Sequence, residues 1–316
     1  MWEFLIVYNV TMNFEDKIIS FKPKPLIEDP DKMEYLLNKV KISEQKRPQI
    51  ESFKDIYSEG EIENDKLLIK KREDEWRQKE DDFDKFVRNF SLIYETAVID
   101  ILDTNKYLGE KSRVIYATKF DDIFNGIDGV LVVEGKEQDQ HLGLNMDVTF
   151  SAGKNIGGDD ILEKKIESIK QCIRKGVLPT LKYFQNPKTM NHEQISLPKI
   201  IIGSQQESAD GLIRLWGETS RTNNEKLKNH PIQSKVIMEA IYQLRYFYEF
   251  AKNLSENTRE DDMREKYEEI YIKYAQMYNY FYDVYLKNKD LIESHYNEIL
   301  NDVVYRKIVN LTGGII

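Results

Sequence analysis

The sequence predicts an α/β protein in which a small mixed sheet is flanked by helices, with a charged N-terminal arm before it and a long C-terminal helical hairpin after it. Three observations carry this. Residues 15–82 are rich in Lys, Glu and Asp and poor in consecutive apolar residues. Between residues 82 and 204 the apolar period changes from helical to strand-like, back to helical and again to strand-like. From Gln233 to about Ile308 the period is helical throughout, with a high density of Tyr and Phe.

Taken in order, the arm holds two Pro-bounded loops, Pro23-Lys24-Pro25 and Asp29-Pro30, then a charged helix, and its composition predicts loose packing. From Asp82 onward Phe83, Phe86, Val87, Phe90, Tyr94, Ala97, Val98 and Ile101 fall in a narrow arc at 100° per residue, a helix facing a core. Ile127 to Val133 reads as a buried strand and Glu134 to His141 as its turn. Leu142 to Phe150 reads as a second strand, antiparallel to the first. Leu144, Met146, Val148 and Phe150 alternate there with Asn145, Asp147 and Thr149. After Gly157-Gly158, Asp159 or Asp160 can cap a helix with the stripe Leu162, Ile166, Ile169 and Ile173, ending at Gly176. Pro198 to Gly203 reads as a central strand. Asn253 to Asp262 reads as the turn of the aromatic hairpin.

At 316 residues the length suits roughly two domains and a core that needs no staples. The composition shifts divide the chain into 1–81, 82–220 and 221–316. A single Cys excludes a disulfide framework and a structural zinc site, and the four His have no metal-ligand spacing. The net charge of −9 disfavours gripping nucleic acid by overall basicity, so any such surface must be local. No apolar run suits a membrane span. The opening Met1 to Val7 carries an acid where a secretory signal has bases, and with one Cys the expected location is the cytoplasm.

The chemistry centres on Asp128, in Asn125-Gly126-Ile127-Asp128, and Asp147, in mid-strand between Met146 and Val148. Adjacent strands lie about 4.8 Å apart, so a suitable register brings both carboxylates to one divalent cation such as Mg²⁺ or Mn²⁺. Glu95, at the border of its helix's apolar stripe, is a candidate third acid. Lys165 lies beside the stripe of the helix after the strands and is the candidate cation for a developing phosphoryl charge, whereas Lys164 points roughly opposite. Each has a structural reading too. Asp128 can be a turn-former after Asn-Gly, Asp147 can lie on a solvated face with Asn145 and Thr149, and Glu95 and Lys165 can be helix-border residues.

These positions, in the order helix, strand, strand, helix, strand, resemble the PD-(D/E)xK, or restriction-endonuclease-like, nuclease superfamily over roughly residues 82–204. Asp128 matches its first Asp, Asp147-Val148-Thr149 its acid-x-Lys, and Glu95 its helix acid. Two positions depart: Thr149 stands in place of the strand Lys, and Ile127 rather than Pro precedes Asp128. Some members carry the Lys on the following helix, where Lys165 lies, and others have lost catalysis. The resemblance implies a restriction-endonuclease-like core and Mg²⁺- or Mn²⁺-dependent hydrolysis of DNA or RNA, with Asp128, Asp147 and Glu95 as metal ligands. The alternative is a non-catalytic nuclease-fold protein that binds nucleic acid or acts as a scaffold.

Lys154 and Lys182 are candidate nucleic-acid contacts, within the basic concentration that includes Lys164, Lys170, Arg174 and Lys175. Ser151 to Asn155 lacks the spacing of a Walker phosphate loop. His141, leading into the Asp147 strand, is the His expected nearest the site. The aromatic hairpin reads as a helix-helix seam, within the chain or across a homo-oligomer, in preference to a base-stacking surface.

Overall fold

A computed structural model describes residues 30–134, 141–151, 159–218 and 221–314. It is a mixed α/β fold. Helices α1 (Pro30–Glu44), α2 (Glu59–Lys79) and α3 (Asp82–Thr104) lead into β1 (Ser112–Tyr116), α4 (Lys119–Asn125), β2 (Gly129–Glu134), β3 (His141–Ser151) and α5 (Asp159–Arg174). A hairpin of β4 (Thr180–Gln185) and β5 (His192–Ser196) precedes β6 (Lys199–Gln205). The rest is helical: α6 (Gln206–Gly217), α7 (Arg221–Lys228), α8 (Pro231–Asn257), α9 (Asp261–Lys287), α10 (Lys289–Ser294), α11 (Tyr296–Asn301) and α12 (Val303–Leu311). Among the described residues no helix is long and apolar enough to cross a membrane.

The main sheet has the order β1-β2-β3-β6, with β1 to β3 antiparallel and β6 parallel to β3. Alternation on the strands sorts the two faces. Leu131, Val133, Leu144, Met146 and Val148 join Phe90, Ile93, Tyr94 and Ala97 of α3 in the principal core, while Val130 and Val132 pack with Leu181 and Phe184 of the β4-β5 hairpin. The stripe Ile166, Ile169 and Ile173 of α5 enters the principal core as expected, and Gly176 beyond it has φ +69°, the left-handed conformation of a helix stop.

Several expectations are corrected. The chain between 30 and 65 does not pack loosely: Leu36 and Val40 of α1 lie in the principal core, and Phe53 and Ile62 cluster with Tyr183, whereas the rest of α2 beyond Asp65 has no buried residue. The strand expected from Ile127 is β2 and begins at Gly129, because Asp128 falls where the β2-β3 ladder ends. Strands β1, β4 and β5 went unread in the sequence, each being five or six residues with polar residues mixed in. The aromatic hairpin turns at residues 258–260, and its seam lies within the chain, with Phe247 against Tyr274 at 5.5 Å between ring centroids.

Strand β6 is a sheet edge, and α8 covers it with side chains in place of another strand. The Gln243 amide accepts from the Ile201 N–H at 2.8 Å and donates to the Ile201 carbonyl at 2.7 Å. Glu239 accepts from the Gly203 N–H at 3.2 Å, Lys235 donates to the Gly203 carbonyl at 2.6 Å, and Asp302 accepts from the Gln205 N–H at 3.3 Å. The register has a simple cause. Four helical residues rise about 6 Å and two strand residues about 6.6 Å, so Glu239 and Gln243, about one helical turn apart, meet Gly203 and Ile201, while Lys235 shares Gly203 with Glu239. Gly203 lets α12 close over the strand, since a Cβ there would lie 2.4 Å from Val304 Cγ1.

Glu239 is fully buried, its Oε1 has no hydrogen-bond partner, and burial pushes its carboxyl up to about 8 against the pull of Lys235. The folded chain therefore holds a proton that the unfolded chain releases near its ordinary 4.5. This contribution to stability is complete below that value and is lost as pH rises toward 8. Urea unfolding between pH 5.5 and 7.5 should show stability falling with pH, and Glu239→Gln should remove up to about 1.4 kcal/mol of that fall per pH unit. An unchanged slope in the variant would place the titration elsewhere.

Candidate active site

The β2-β3 ladder begins at Gly129 paired with Met146, and the Asp128 N–H still donates to the Met146 carbonyl at 2.9 Å. One step further along β3 the Val148 N–H points to the same side with no strand left to meet it. The Asp128 carboxylate takes that N–H at 2.6 Å, which fixes its side chain at the mouth of the splayed strands. Asp147 lies between these two positions and faces the other way. Its face is not solvated, since Asn145 and Asp147 are both buried, so its charge needs partners.

Two ammonium groups supply them. Lys165 Nζ of α5 lies 2.5 Å from Asp147 Oδ1, and Lys199 Nζ of β6 lies 3.1 Å from Oδ2. Lys199 also donates to the Asn125 carbonyl at 3.1 Å, at the C-terminal end of α4. Gly126, at φ +58°, caps that helix, and a Cβ there would stand 3.1 Å from Lys199 Nζ and 3.4 Å from Asp147 Oδ2. Gly126→Ala should therefore cost about 1–2 kcal/mol from the left-handed backbone alone, and more if Lys199 must shift. Urea unfolding of the variant checks this, and a loss below about 0.5 kcal/mol would show that neither constraint acts.

Glu95 of α3, half-buried, completes the group. Burial, with the neighbouring charges of Asp128 and Asp122, raises its carboxyl well above the usual range against Lys165 and Arg47. Burial and the charges of Asp122 and Asp147 push Asp128 up to about 8. For Asp147 burial works upward, but Lys165 and Lys199 outweigh it and hold the carboxyl below the usual range. The Lys165 ammonium is held above its ordinary value because Asp147, Asp128 and Glu95 together outweigh its burial. Arg47, from the turn after α1, pairs with Asp122 at 3.2 Å on the margin of the site.

All four residues proposed from the sequence, Glu95, Asp128, Asp147 and Lys165, thus share one electrostatic environment. Lys199, Asp122 and Arg47 were not foreseen. Their approach depends on the parallel β3-β6 register and on the packing of α1, and neither leaves a local pattern. Other expectations are corrected or fall elsewhere. Lys182 is spent inside the fold: its ammonium lies 2.5 Å from buried Asp65 and within 5.3 Å of the Tyr57, Phe120 and Tyr183 ring centroids. Lys154 lies outside the described residues. His141 pairs with Glu134 at the far end of β3, six residues and about 20 Å from Asp147. Asp121, although buried and acidic, is structural: it accepts from Asn125 and from the Lys182 and Tyr183 N–H groups, which ties α4 to β4.

Chemically, the arrangement offers hard carboxylate oxygens beside an ammonium, in a site that carries more acid than base. Among the described residues no three His, Cys, Asp or Glu side chains already stand at metal-holding geometry. Compared with family models, curated proteins and solved structures, the chain matches none of them.

Proposed function

We propose that the chain is a divalent-metal-dependent nuclease of restriction-endonuclease-like fold, hydrolysing phosphodiester bonds of DNA or RNA. The observation that carries this reading is the convergence of Glu95, Asp128, Asp147 and Lys165 from α3, the start of β2, β3 and α5. The element order supports it: α3, three antiparallel strands with α4 between the first and second, α5, and, after the β4-β5 hairpin, a strand parallel to the third. Residues 82–220 would form the nuclease-like unit, and a cytoplasmic location goes with the same proposal.

The donor chemistry, hard carboxylate oxygens, is of the kind that Mg²⁺ or Mn²⁺ takes, and binding would require Glu95 and Asp128 to give up the protons that burial and mutual repulsion favour. Divalent charge bound there supplies an activated water and neutralises developing phosphoryl charge. Asp128, held by the Val148 N–H, and Asp147, held by Lys199, would bind the ion with little loss of freedom. Glu95 would orient the attacking water from the α3 side, and the Lys165 Nζ would donate to a phosphoryl oxygen. Substrate phosphates would follow α5, where Lys170 and Arg174 lie over the rings of Tyr246 and Phe250. The partly exposed Tyr248, Tyr271, Tyr278 and Tyr282 of α8 and α9 are the surface for the expected self-association.

One observation favours a second reading, a non-catalytic nuclease-fold protein acting as a scaffold: both Asp147 oxygens already accept from ammonium groups. Calorimetric titration of Mg²⁺ and Mn²⁺ into the wild type and Asp128→Asn, with cleavage gels on single- and double-stranded DNA and RNA, separates the two. The nuclease reading expects binding and cleavage that vanish together in the variant. A wild type that binds neither ion, with or without nucleic acid, would move the chain to the scaffold reading.

A further inference from the structure

Helix α1 is apolar on more sides than the fold uses. Leu36 and Val40 face the principal core, whereas Met33 and Leu37 are only partly buried against its margin, as is Leu92 of α3. Between the two helices runs a groove of about 510 Å³, floored by Met33, Leu37, Val40 and Leu92, with Lys41 on its rim. That is room for a few large apolar side chains. A helix with so wide an apolar circumference is a helix that something covers, and an open apolar groove rimmed by polar residues marks an interaction site. Residues 1–29 lie outside the described residues and join α1 at Pro30, three residues before Met33. Ten of the first fourteen residues are Trp, Phe, Tyr, Leu, Ile, Val or Met, and Glu3 is their only charged side chain, in a chain that is 32% charged.

We propose that the groove between α1 and α3 is the docking site for this chain's own opening segment, residues 2–10. Trp2, Phe4, Leu5, Ile6 and Val7 supply the apolar surface that the groove lacks, and removing both from water drives the contact. Glu3 can meet Lys41 at the rim. The connection is long enough: residues 11–29 span at most about 60 Å, whereas Met33 to Lys41 is a rise of about 12 Å. Tethering also decides between occupants. Attachment at Pro30 holds the segment near the groove at an effective concentration on the order of millimolar, so a contact too weak to hold a separate peptide suffices. The same segment of a second copy has the same chemistry without that advantage.

Photo-cross-linking of the full chain, with benzoylphenylalanine in place of Phe4, tests the docking. Mass spectrometry should map the cross-links within one chain to Met33, Leu37 or Leu92, with a yield that does not depend on protein concentration. Met33→Glu, which puts a charge on the floor of the groove, should lower that yield several-fold. Circular dichroism verifies folding, and Leu37→Gln serves if the Met33 variant is unfolded. Cross-links between two chains that grow with concentration would assign the groove to a second copy and overturn the proposal. So would cross-links confined to other parts of the chain, no cross-links at all, or a yield that the groove variant leaves unchanged.

Discussion

Replacing Asp147 with Ala is expected to lower the unfolding free energy by about 3–5 kcal/mol, as well as to abolish any cleavage. The stability loss follows from what is left behind. Lys199 is nearly enclosed, and without Asp147 its ammonium retains the Asn125 carbonyl but no counter-charge. Lys165, more exposed, can reach water and contributes less. Pairing the substitution with Lys199→Met, which removes the stranded charge, should recover most of the loss. Urea unfolding of the two single variants and the double variant measures this coupling. An Asp147→Ala protein within 1 kcal/mol of the wild type would mean that Lys199 finds solvent, and the enclosure described here would be wrong.

Lys235→Met is the other substitution with a large expected effect, again about 3–5 kcal/mol. Lys235 is 3% exposed and Asp302, its partner at 2.8 Å, is 1% exposed. The Lys235 ammonium also donates to Ser204 Oγ and to the Gly203 carbonyl. Its removal leaves a buried carboxylate and a bare strand carbonyl together. Asp302→Asn alone should cost less, because Asp302 Oδ1 also caps α12 through the Val304 and Tyr305 N–H groups, and an amide oxygen can take over that role. Lys235→Met combined with Asp302→Asn should be more stable than Lys235→Met alone. The order of the three midpoints in a urea series is the test, and a double variant weaker than both singles would show that Lys235 acts mainly through the strand carbonyl.

What the sequence could reveal followed the range of the forces involved. The α5 stripe, the alternation on β3 and the α8-α9 hairpin are written in local periods, and each formed where those periods place it. Lys165 could be separated from Lys164 because a helix fixes the angle between neighbours, and Lys165 does reach Asp147. The ladder end at Asp128 could not be read, because it depends on pairing Gly129 with Met146. Lys199 was hidden for a similar reason: within Pro198 to Gly203 it looks like a strand-start residue, and only the pairing of Asn145 with Lys199 brings it beside Asp147. The polar run Lys235, Glu239 and Gln243 is regular at four-residue spacing, but a buried polar stripe on a helix has no meaning until a strand edge lies opposite.

That stripe has a consequence for how the chain can be handled and how it can fail. A fragment ending before Pro231 would keep every strand of the main sheet yet lose the groups that satisfy Ile201 and Gly203. Its last strand, with Ile200, Ile201 and Ile202 in succession, would be an adhesive template for the same segment of another molecule. Such fragments should accumulate as insoluble aggregates, and the same exposure threatens the growing polypeptide until synthesis has passed Gln243.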